Sequence, residues 1–178
     1  MQDDRSQEDR DESAARRFLA GVTEQAFMVE LGVVDPPLVD YVTGLLNRFL
    51  STDTIYSARS VRGERLTQVA DMLAEAEARR GPARRTLHRH IGDFTLFWSG
   101  LFPEIAQQLR KTGGKDALLD YRELGKQSYA TASQIPVERE FAPSDVLERL
   151  SSEFELCVYG LGEVRKTWEE SDGGPLLV

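Results

Sequence analysis

Only one cysteine, Cys157, and two histidines, His88 and His90, occur in the 178 residues. A lone cysteine excludes an intramolecular disulfide and any zinc site of the Cys and His type. It falls within an apolar helical repeat, where a thiol behaves as a small hydrophobe, and a reducing cytoplasm is the expected location. No apolar run approaches the roughly 20 residues that a bilayer span needs. The start of the chain (Met1, Gln2, Asp3, Asp4, Arg5) has neither the basic flank nor the apolar stretch of a signal peptide, so no membrane role is expected.

Positive charge is also scarce. Twenty-two Lys and Arg against thirty Asp and Glu leave a formal charge of -8, which disfavours nucleic acid as a partner because phosphate contacts need a positive field. Neither Ser99 nor Ser128 lies in a Gly-x-Ser-x-Gly elbow, and no phosphate-binding glycine loop is present. The paired Glu-x-x-His motifs of di-iron bundles are missing as well. No catalytic set, no metal site and no cofactor is therefore predicted. Alternating strand patterns and internal repeats are likewise absent.

What is present is helical periodicity. With 40% of positions apolar, the chain can fill one ordinary domain core. Residues 1–12 are acidic and carry no large apolar side chain after Met1, which predicts a disordered acidic tail. A helical domain is expected over 13–170 and a flexible tail over 171–178, where Gly173, Gly174 and Pro175 cluster. Ala15, Leu19, Val22, Ala26 and Val29 mark a first helix that Gly32 can stop. Asp35 as N-cap and Pro36 at the first helical position open the second. Leu66, Val69, Leu73 and Ala76 define a third, ending near Gly81.

Pro82 opens a central helix whose Leu87, Ile91, Phe94, Trp98 and Leu101 share one stripe. Pro103 restarts a short helix, and another is expected from Asp116 to Ser133 with Leu118 and Tyr121 on its apolar side. From Asp145 to Glu170, Leu147, Leu150, Phe154, Cys157, Leu161, Val164 and Trp168 alternate steps of three and four, the seam of bundle packing. The fold class is thus all-α, a single-domain bundle of about six helices. Gly92 and Gly125 cost about 1 kcal/mol each against Ala inside a helix, and close helix contact is the simplest offset. Gly160 and Gly162 suggest a bend or another close crossing.

The most unusual segment runs from Arg79 to His90. Arg84, Arg85, His88 and Arg89 form a basic cluster at a helix start, where free N–H groups and the dipole also favour an anion. The alternative is a solvated face in which Glu75 and Glu77 pair with their basic neighbours. His90 and Asp93, three apart, are expected to hydrogen-bond as a polar pair at the core border, with a catalytic or metal role as the sharper alternative. Because apolar seams abound and convergent reactive groups do not, the expected function is a non-enzymatic helical binding or scaffold protein acting through protein–protein contacts, as a homodimer or with another protein. The alternatives are a sensor of a small anionic molecule at the basic cluster, and an enzyme or metalloprotein centred on His90 and Asp93.

Overall fold

A computed structural model describes the backbone of residues 2–50, 52–111, 114–138 and 142–171, with side chains described from residue 13 onward. Among these residues nine α-helices and one π-helical segment follow in order. They are α1 (Gln2–Glu24), the π segment (Gln25–Glu30), α2 (Pro36–Phe49), α3 (Thr52–Ile55), α4 (Val69–Ala78), α5 (Gly81–Leu101), α6 (Pro103–Lys111), α7 (Tyr121–Gln134), α8 (Ser144–Ser152) and α9 (Phe154–Glu170). No strand is present among the described residues; an isolated bridge joins Arg59 and Arg65. No helix among them is long and apolar enough to cross a membrane.

α5 is the axle. Every residue from Ile91 to Leu101 is buried, so this stretch is covered on all sides rather than along one stripe. α7, α9 and α4 pack around it, and α8 packs on α7. The start signals act as their chemistry requires. The Asp35 carboxylate accepts from the Leu38 N–H at 3.2 Å with Pro36 and Pro37 in the first turn, and Gly32 takes the left-handed conformation with φ +66° after the π segment.

The small residues on α5 and α7 are contact points. A Cβ on Gly92 would stand 2.6 Å from the Tyr129 ring, and one on Gly125 would reach 2.5 Å from the Phe154 ring and collide with Thr95 Oγ1. Helix propensity alone says that Gly125→Ala stabilises by about 1 kcal/mol. The packing reverses the sign, and a loss of about 1–3 kcal/mol is expected in urea unfolding. A gain in midpoint would show that α7 and α9 can separate without cost.

Several sequence expectations change. The expected count of about six, with seven segments traced, becomes nine among the described residues, because α3 adds a short helix and the long C-terminal helix divides at Glu153, with φ -103° and ψ 23°, into α8 and α9. Its seam is nonetheless continuous: Leu147, Leu150, Phe154, Cys157, Leu161 and Val164 are fully buried within the chain, so it is core rather than a subunit interface. The helix expected from Asp116 begins instead at Tyr121 with Asp120 as its cap, since Asp116 is drawn off to α4, and Leu118 is left 96% exposed. The backbone is helical from Gln2, where the periodicity begins only near Ser13. The side chains of the acidic segment 1–12 lie outside the described residues, as does the expected tail from residue 172 onward.

Candidate functional site

The basic segment does not converge on one point. Arg79 pairs with Glu75 at 2.9 Å and donates to the Arg59 carbonyl. Arg84 holds both carboxylate oxygens of Glu77, at 2.9 and 3.1 Å. His88, 4% exposed, has Nε2 3.6 Å from the same Glu77. Burial and the Arg84 charge lower its pKa, against an opposing pull from Glu77.

Arg85, 5% exposed, turns inward. It donates to the carbonyls of Ala132 at 3.1 Å and Ala142 at 2.7 Å and to Ser144 Oγ at 3.2 Å, tying α5 to the segment between α7 and α8. Of the four anion candidates, Arg85 and Arg89 line a groove of about 480 Å³ that Pro82, Thr86 and Pro136–Glu138 complete. Arg85→Gln is expected to lower the unfolding free energy by about 2–3 kcal/mol, because buried carbonyls lose a charged donor. Arg84→Gln, at an exposed pair, should stay within about 1 kcal/mol. Equal urea midpoints for the two variants would overturn this division of roles.

The expected His90–Asp93 pair is not formed. Asp93 is 2% exposed, and its Oδ1 accepts from the hydroxyls of Tyr41 at 2.7 Å and Tyr129 at 2.8 Å. Its Oδ2 accepts from Arg48 at 3.1 Å, with Arg89 at 3.7 Å. α2 supplies Tyr41 and Arg48, seven residues apart on one face, and α7 supplies Tyr129; Arg89 lies one turn before Asp93 on α5. His90 packs instead against Phe49 and Phe94, with ring centroids 5.9 and 6.4 Å away, and its Nε2 is buried without a hydrogen-bond partner. Burial lowers its pKa despite the Asp93 charge, which acts the other way.

Burial, then the charge of Asp93, pushes the Tyr41 hydroxyl far above the usual tyrosine range, and the same causes act on Tyr129. Two neutral phenols and two guanidinium groups therefore surround one carboxylate. Both phenol hydroxyls donate to the same carboxylate oxygen and Arg48 to the other, which makes this a lock joining α2, α5 and α7. Sequence reasoning picked out Asp93 but missed Tyr41, Arg48 and Tyr129, because their meeting spans some fifty residues of chain and has no local period.

A second buried carboxylate, Asp116, was missed entirely as a site. Its oxygens accept from the N–H groups of Val69 and Ala70, both at 2.9 Å, and from the Tyr121 hydroxyl at 2.7 Å. It thus caps α4 from a distant loop, satisfying donors that Gln68 at the N-cap leaves open. Among the described residues no group of three or more metal-ligating side chains occurs. The Cys157 thiol is buried and pushed up to about 12 by that burial, so it is not poised as a nucleophile. No family model, curated protein or solved structure matches the chain.

Proposed function

We propose that this chain is a non-enzymatic helical binding protein that acts through protein–protein contact, with a second copy of itself as the partner. The observation that carries the reading is where apolar surface remains. Among the described residues, four of the seven large exposed hydrophobic side chains lie between residues 18 and 34: Phe18, Met28, Val29 and Val34, the last two 68% and 90% exposed. They ride on the end of α1, the π segment and the link that follows, and a fifth, Tyr159, lies on α9, which packs against both helical elements. π segments recur at functional sites, and clustered exposed apolar groups mark contact surfaces. An apolar patch needs no charge complement, so it can meet its own copy across a two-fold axis.

Sedimentation velocity over roughly a hundredfold range of concentration tests this. The parent is expected to associate, and a Val29→Glu, Tyr159→Glu variant to remain monomeric while keeping the helical circular dichroism of the parent. A parent that is monomeric throughout would overturn self-association.

A second reading, anion binding, draws on the groove that holds Arg85, Thr86 and Arg89. It requires inorganic phosphate or pyrophosphate to raise the melting temperature of the parent in a salt-sensitive way. No shift with either anion ends it.

A further inference from the structure

The geometry points to a small-ligand site for a planar carboxylate in the groove between Tyr56 and Tyr121, a site separate from the apolar contact face and from the basic segment. The groove encloses about 390 Å³ and is lined by Tyr56, Arg65, Thr67, Gln68, Leu109, Gly114, Asp116 and Tyr121. That volume falls within the range of small-molecule sites, roughly 300–1,000 Å³. It forms where the end of α3, the approach to α4, the end of α6 and the start of α7 meet, so loops carry the lining and helices hold it.

The walls favour a flat molecule. Tyr56 and Tyr121 both stand edge-on to Phe94, with centroid distances of 5.8 and 6.3 Å, so a common ring backs the two tyrosines and fixes their separation. Leu109 adds an aliphatic surface. Tyr121 is further held by its hydroxyl bond to Asp116, and the wall is therefore rigid before a ligand arrives.

The polar groups favour a ligand that accepts hydrogen bonds. Gln68 Oε1 already accepts from the Lys115 backbone N–H at 2.8 Å, which turns the amide so that Nε2, a donor, is its uncommitted end. The Tyr56 hydroxyl has no hydrogen-bond partner among the described residues, and Thr67 adds a second hydroxyl at the exposed rim. Arg65 brings a guanidinium whose pairing with Asp53 is long, 3.3 Å, and half exposed, so a ligand carboxylate can compete for it. The one carboxylate in the lining, Asp116, is taken up by two N–H groups of α4 and by Tyr121, which offset its charge. Fixed donors on one side and aromatic faces on the other fit a conjugated or aromatic acid.

The test is a titration of the full chain, isotopically labelled, followed by amide NMR. Benzoate is the probe, and cyclohexanecarboxylate and benzamide are controls that remove planarity and charge in turn. Benzoate is expected to shift the Gln68 side-chain amide and the Gly114 backbone amide saturably, with a dissociation constant on the order of 1 mM for so small a fragment. Gln68→Glu keeps the acceptor for Lys115 but replaces the donor with a charge that repels the probe, and should weaken binding at least about tenfold. Tyr56→Ala should do the same by removing one wall. No saturable shift with benzoate overturns the site, as does equal binding by the Gln68→Glu variant. Equal binding of cyclohexanecarboxylate overturns the planar requirement, and equal binding of benzamide overturns the carboxylate. Self-association, read by sedimentation, can fail or succeed without touching any of these outcomes.

Discussion

Replacing Asp93 with Ala is expected to cost about 3–5 kcal/mol of folding free energy, a large fraction of what holds a domain of this size together. The loss has two parts. Two buried phenol hydroxyls, those of Tyr41 and Tyr129, are left without their acceptor, and Arg48 and Arg89 are left as cations at the edge of an apolar core. Asp93→Asn retains the shape and one acceptor but not the charge, and should fall between the parent and Ala.

His90→Ala provides the contrast. Because His90 does not hold Asp93 and its Nε2 is already unpartnered, the variant loses ring packing on Phe49 and Phe94 but orphans no charge. About 1–2 kcal/mol is expected, less than for Asp93→Ala. Urea unfolding of the three variants decides the matter. A His90→Ala loss equal to that of Asp93→Ala would restore the histidine as the partner of the carboxylate.

The second large effect is with pH. Burial holds the hydroxyls of Tyr41, Tyr121 and Tyr129 neutral far above the ordinary tyrosine value of 10.0, helped by Asp93 at two of them and by Asp116 at the third. In the unfolded chain the same groups ionise from about pH 10. The folded state thus binds more protons above that value, and stability, complete below pH 10, is lost as pH rises. Each group contributes a slope of about 1.4 kcal/mol per pH unit, so the three together approach about 4 kcal/mol per unit. Cooperative unfolding within one to two units above pH 10 is expected, with tyrosinate absorbance appearing together with the loss of helical circular dichroism. Absorbance that titrates smoothly near pH 10 while the helices persist would show that these hydroxyls are open to solvent.

At the acid end the sign is opposite. His88 and His90 have folded pKa values below the ordinary 6.5, chiefly through burial. Their contribution is present above about pH 6.5 and is lost as pH falls below it, because the unfolded chain takes up the protons first. The stable window therefore lies between the histidine and tyrosine limits.

Much of the helical outline was legible in the residues themselves. Asp35 with Pro36, and Pro82 beside the left-handed Gly81, are local signals whose chemistry acts within one turn, and they delimit α2 and α5 where expected. Gly92 and Gly125 announced close helix contacts through their propensity cost, and each has an aromatic ring against it. The break at Glu153 had no such signal, since the apolar steps run through it unchanged.

The same limit applies to the sites. Sequence by itself determined an all-helical chain, the axial place of α5 and the identity of its polar residues, because period, caps and glycine cost are properties of neighbouring positions. Only the tertiary structure decided which charge meets which. Asp93 takes Tyr41, Arg48 and Tyr129 rather than His90, Arg85 turns in to the carbonyls of Ala132 and Ala142, and Asp116 caps α4 from the turn before α7. The physical reason is that a buried polar group must find a partner wherever packing brings one, and packing joins residues that are fifty positions apart as readily as three.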